Sequence, residues 1–182
     1  MERAAPETEP QNNQSVAKAF TTYAADFLAG QYLPKIERCL ENLSNEQLWW
    51  RPNPESNSIG NLVLHLCGNA RQWIVSGLGG AADDRHRDAE FSQTEPIPGS
   101  ELLTLLRDTV GQVEEVLTNL NPETLNEKRL IQGVQVDGLQ AVFHVTEHFS
   151  MHTGQIILLT KLLTGRDLSF YDFSTGVPAH HW

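Results

Sequence analysis

Apolar residues recur every three to four positions over four long stretches of the chain, the period of helices that bury one face. Ala17, Phe20, Ala24, Phe27 and Leu28 open the first stretch, which continues more loosely through Ile36, Leu40 and Leu43 and carries Pro34 where it would kink or interrupt the helix. Residues 51–58, RPNPESNS, form a loop, and Ser58 is placed to cap a second helix running to about Leu78. The stretch from Gly79 to Gly99 holds a Gly-Gly pair, the charged run DDRHRD and the prolines of EPIP, so it reads as an exposed excursion. Ser100 is expected to cap the third helix, whose stripe is Leu102, Leu106, Val110, Val113, Leu117 and Leu120. Asn121-Pro122 stops it and offers a short new start. Residues 129–137, RLIQGVQVD, alternate apolar and polar and suit a small hairpin or a loop. A fourth helix spans Leu139 to Leu163 with Gly165 as its C-terminal cap, and residues 166–182 form an irregular aromatic tail. The pattern predicts an all-α fold, four helices in a single domain over 14–182, behind a flexible lead-in at 1–13.

Composition narrows the function classes. With 182 residues the chain can bury one good core, and 40% hydrophobic with 20% charged residues describes an ordinary globular protein. Thirteen Lys and Arg against 23 Asp and Glu give a formal charge of −10, which repels phosphate backbones and anionic lipid, so neither nucleic acid nor membrane is an expected partner. Cys39 and Cys67 make no CxxC pair and suit a reducing compartment. No run reaches the roughly 18 apolar residues of a membrane span, and MERAAPETEP lacks the basic and apolar regions of a signal peptide, so a cytoplasmic location is expected.

The chemistry lies where polar residues interrupt the core stripes. Ala141, His144, Val145, His148, His152, Gln155, Leu159 and Leu163 share one arc of the last helix. Imidazoles at i and i+4 can converge on one divalent ion, whereas three unpartnered imidazoles on an apolar stripe would leave several buried donors and acceptors unsatisfied. On the second helix His65 and Asn69 fall one turn apart along the edge of the arc Ile59, Leu62, Leu66, Ala70 and Trp73, which makes His65 the candidate third ligand. His86, in the charged excursion, and His180 with His181, in the tail, read as solvated positions, and Cys67 as a small buried apolar residue. Trp49, Trp50 and Trp73 read as core and loop anchors. Residues 144–148, HVTEH, match the H-x-x-E-H pattern of a class of zinc proteases, yet only 34 residues follow His148, too few for that scaffold. Glu147 points about 100° away from His148 around the helix and is expected to be exposed or to support a ligand from outside.

SIGNLVLHLCGNARQW (58–73) and HVTEHFSMHTGQI (144–156) resemble the two signature helices of the DinB/YfiT-like superfamily, and within it the DUF1572 type. The resemblance covers the chain after residue 15. It implies an up-up-down-down four-helix bundle, often a homodimer, with a divalent metal held by His65, His148 and His152, zinc or nickel foremost, and His144 one turn outside the ligand pattern. It further implies a small-molecule substrate and a low-molecular-weight thiol as possible reactants, since some relatives are thiol-dependent S-transferases. A metal with an open position would activate thiol or water, as a transferase or hydrolase requires. Asn69 and Gln155 are candidates to contact substrate or orient a ligand histidine, and the excursion and tail are expected to shape the cleft mouth. The alternative is a non-catalytic metal or small-molecule binding module.

Overall fold

The computed structural model describes residues 9–182 and is a four-helix bundle. Helix α1 (Glu9–Phe27) passes through a π-turn at Leu28–Tyr32 into α2 (Leu33–Glu41), so the first bundle helix is continuous and its widened turn lies just before Pro34. Pro34 has no N–H for the carbonyl of Gly30, four residues back, and the widened turn relieves the clash of its ring. The indole N–H of Trp182 donates to that Gly30 carbonyl at 3.0 Å. Of the expected lead-in, residues 1–8 lie outside the described residues, and 9–13 belong to α1.

After the short α3 (Asn45–Leu48), the second bundle helix is α4 (Ile59–Ala70), extended by a π-turn at Arg71–Ser76. Ser58 caps it in a reciprocal box: its hydroxyl accepts from the Asn61 N–H while the Asn61 side chain accepts from the Ser58 N–H. The excursion contains a six-residue helix, α5 (Arg87–Ser92). The third bundle helix, α6 (Gly99–Asn119), has no side-chain cap, contrary to the expectation for Ser100. It starts two residues earlier, behind Pro98, and the free Gly99 N–H is taken by Asn45 Oδ1 at 3.0 Å.

Residues 128–137 form the hairpin: β1 (Lys128–Ile131) pairs antiparallel with β2 (Val134–Asp137). Its two-residue turn, Gln132 at φ 53° and Gly133 at φ 77°, has the left-handed backbone that matches strand twist. Asp137 ends β2 and caps the fourth bundle helix, α7 (Gly138–Thr164), which closes at Gly165 in the left-handed region, φ 64°. The tail carries a two-residue ladder, β3 (Tyr171–Asp172) with β4 (Ala179–His180). It docks on the first bundle helix through Arg38, which donates to the carbonyls of Leu168, Ser169 and His181. None of its hydrogen bonds reaches the histidines of α4 and α7.

The core follows the predicted stripes, except that Phe27 of the first is 48% exposed. Leu102, Leu106, Val110, Val113 and Leu117 of α6 pack with Ile59, Leu62, Leu66 and Ala70 of α4 and Ala141, Val145, Phe149 and Ile156 of α7. Among the described residues no helix is long and apolar enough to cross a membrane.

Candidate metal centre

His65 on α4 and His148 and His152 on α7 meet inside the bundle, and their ligand nitrogens all lie within 4.8 Å of one another. The Nε2 of His148 is 3.1 Å from that of His65 and 3.2 Å from that of His152. All three residues are buried, at 7%, 8% and 9% exposure. Packing of α4 against α7 supplies the convergence: His65 comes from the edge of one apolar arc, and the i,i+4 pair from the stripe of the other.

The remaining ring nitrogens have specific surroundings. His65 Nδ1 is 2.8 Å from Glu90 Oε2, and His152 Nδ1 is 2.6 Å from Gln155 Oε1. Arg85 Nη2 also stands 3.2 Å from His65 Nδ1. A ring that donates its Nδ1 proton to the neighbouring oxygen keeps a lone pair on Nε2, the atom that faces the centre. Burial pushes His148 down to about 3, helped by the neighbouring imidazoles of His152, His65 and His144, so its ring is neutral at pH 7. Burial likewise lowers His152, although its bond to Gln155 opposes this.

His148 Nε2, 3.1 Å from one partner nitrogen and 3.2 Å from the other in a set that lies within 4.8 Å, has the spacing to share one cation with them. Two nitrogens each about 2.0–2.1 Å from an ion, at angles between octahedral and tetrahedral, stand roughly 2.9–3.4 Å apart. His148 Nδ1 is a buried atom with no partner among the described residues, a cost that binding through Nε2 helps to offset.

Glu90 was not legible as a site residue. It sits on α5 inside the excursion, which is exposed over most of its length, yet its side chain is buried and joined to Arg85 by Nε to Oε1 at 2.7 Å and Nη2 to Oε2 at 2.9 Å. Burial raises the carboxyl, but hydrogen bonds from Arg85 and His65 outweigh it and hold Glu90 below the usual carboxylate range. The excursion is thus corrected from a solvated loop to a strap that inserts an ion pair behind His65. A cavity of about 320 Å³ lies beyond that pair, lined by Gly68, Arg71, Gln72, Asp83, Arg85 and Glu90 among others, and none of the three histidines lines it.

One turn along both helices a second polar rung follows. Asn69 Nδ2 donates to His144 Nε2 at 3.1 Å, and the His144 ring packs on Trp73 at 4.2 Å between centroids. Trp73 in turn donates its indole N–H to Gln132 Oε1 in the hairpin turn, 3.1 Å away. Asn69 Oδ1 is buried with no partner among the described residues. Glu147 is exposed, lining a hollow with Tyr32, Phe143 and Met151, and it acts on His144 and His152 only through its charge. His86, His180 and His181 are exposed and outside the cluster, and Cys67 is buried in the core.

A family profile described as "Protein of unknown function (DUF1572)" matches residues 16–176. Among solved structures, a crystal structure of a DinB-like protein from Bacillus cereus ATCC 10987 superposes with a TM-score of 0.57 at 18% identity, covering 75% of this chain and 88% of that one. No curated protein matches the chain.

Proposed function

The chain belongs to the DUF1572 family and has the DinB-like fold, and on that footing we propose that it binds a divalent metal ion through His65, His148 and His152 and works as a metal-dependent enzyme. The observation that carries this reading is the convergence of three Nε2 atoms while the Nδ1 atoms of His65 and His152 are held by Glu90 and Gln155. Zinc or nickel suits an all-imidazole set. A divalent ion with an open position supplies a Lewis acid that brings the pKa of a bound thiol or water toward neutrality.

The chain's own residues then have distinct tasks. His65, His148 and His152 hold the ion without cancelling its charge, since an imidazole that binds through a lone pair brings no charge of its own. Glu90 and Gln155 fix the ring planes of His65 and His152. Asn69, with its free buried Oδ1, and His144 line the next turn and are placed to hydrogen-bond a small electrophilic substrate. The reaction class is transfer to a low-molecular-weight thiol or hydrolysis, with the S-transferase or hydrolase choice set by whether thiol or water is the nucleophile.

The experiment is elemental analysis of protein purified without tag or chelator. About one ion per chain is expected in wild type and in His144→Ala, and a loss in His65→Ala, His148→Ala and His152→Ala. A metal-free wild type that takes up neither zinc nor nickel would sink the reading. The near-complete burial of the three rings favours a second reading, a non-catalytic metal-binding module. A homodimer belongs to the proposal, supported by the exposed apolar Leu139, Phe143, Met151, Leu158 and Leu162 at helical spacing along α7.

A further inference from the structure

We propose that Glu90 is a positioning residue for His65, held in place by Arg85 and admitted by Gly68, so that the strap from Arg85 to Gln93 is part of the metal centre. The proposal rests on the reading that His65, His148 and His152 bind a divalent ion.

The geometry is specific at each contact. Free neutral imidazole exchanges its proton between both nitrogens, and only one tautomer leaves Nε2 able to bind a cation. Two groups face His65 Nδ1, Glu90 Oε2 at 2.8 Å and Arg85 Nη2 at 3.2 Å, and the nearer carboxylate oxygen selects that tautomer by accepting the Nδ1 proton. Arg85 grips both carboxylate oxygens, so the plane that receives this proton is fixed. It also cancels the carboxylate's charge, so His65 is oriented without a net negative charge beside the cluster. Arg85 is itself anchored by Nη1 to Gln72 Oε1 at 2.9 Å.

Gly68 makes the approach possible. It stands one turn after His65 in the interior of α4, where glycine is unfavourable by about 1 kcal/mol relative to alanine. A Cβ at that position would lie 2.0 Å from Glu90 Oε1 and 2.8 Å from its Cδ. The carboxyl group therefore occupies the space a side chain would fill.

The backbone that carries Glu90 is pinned independently. Asn61, fully buried, donates from Nδ2 to the carbonyls of Glu90 at 2.9 Å and Gln93 at 3.0 Å. Arg51 Nη2 donates to the carbonyl of Phe91 at 3.0 Å, and the Phe91 ring packs on His65 with centroids 4.6 Å apart. Two residues of one short helix thus fix the same imidazole, one by its proton and one by its face.

Zinc competition against a chromophoric chelator, with wild type, Glu90→Gln and Gly68→Ala, tests the proposal, with far-UV circular dichroism to score folding. Wild type is expected to bind one zinc per chain, and both variants to fold and bind it roughly 10- to 100-fold more weakly. Wild type that binds no zinc overturns the metal reading itself. Wild type that binds while both folded variants bind equally tightly overturns the role of Glu90 alone. Should the variants not fold, long-range ¹H–¹⁵N spectra of metal-free wild type decide the matter without a substitution. A neutral His65 protonated at Nδ1 supports the clamp, and one protonated at Nε2 overturns it.

Discussion

Gln155 stands one turn beyond His152 on the same helix and accepts the proton of its Nδ1 at 2.6 Å, so α7 supplies both a metal-binding ring and the group that orients it. Gln155 is exposed, unlike Glu90, so solvent can replace the acceptor when it is removed. Gln155→Ala is therefore expected to weaken zinc binding by about tenfold, the low end of what outer hydrogen-bond partners contribute. Isothermal titration against wild type checks this, and a 100-fold loss would show that Gln155 does more than orient the ring.

The bundle has a core of its own apart from the histidines, so metal removal is expected to leave it folded. Dialysis against a chelator should preserve the helical circular dichroism. Restoring zinc at 100 times Kd should add about 2.7 kcal/mol, roughly 5–10 °C in Tm for a chain of this size. Loss of helix on chelation would instead assign the ion a structural role and favour the binding-module reading.

Leu106 is fully buried in α6, which carries none of the three histidines. Leu106→Ala is expected to lower stability by about 2–5 kcal/mol while metal content at low temperature stays unchanged. Denaturant unfolding and elemental analysis of the same sample separate the two effects.

Burial pushes the Cys39 thiol up to about 11 and the Cys67 thiol up to about 12. Neither is a thiolate at pH 8, so a colorimetric disulfide reagent should find both unreactive in the native protein and both reactive in denaturant. Their folded values lie above those of the unfolded chain. Stability from keeping them neutral is therefore complete below about pH 9 and is lost as pH rises toward 11. A Tm that stayed flat from pH 8 to 11 would contradict this.

The fold was legible because four stretches carried a clean 3.6-residue period and their ends carried chemical punctuation. Ser58, Asp137 and Gly165 close helices as local rules require, the first and last of them foreseen. Ser100 failed as a cap because the start of α6 was satisfied from across the fold by Asn45, a partner that local sequence does not announce. The histidine cluster was legible for the same periodic reason. Glu90 was not, because in DDRHRDAE an acidic residue among six charged ones looks solvated, and only tertiary docking shows that Arg85 shields it. The available signal was Gly68, a glycine in a helix interior one turn from His65, which announces that something must approach closely there.

The hairpin turn reaches the polar wall beside the cluster through a chain of three contacts: Gln132 to Trp73, Trp73 to His144, and His144 to Asn69. Strand register is all or nothing, because a shift of one residue turns every side chain to the opposite face. Length changes are therefore tolerated unequally along the chain. An added or deleted residue near Gly80 changes an exposed loop, whereas the same change within 128–137 would carry Gln132 off the indole and leave the surface beneath His144 unbraced.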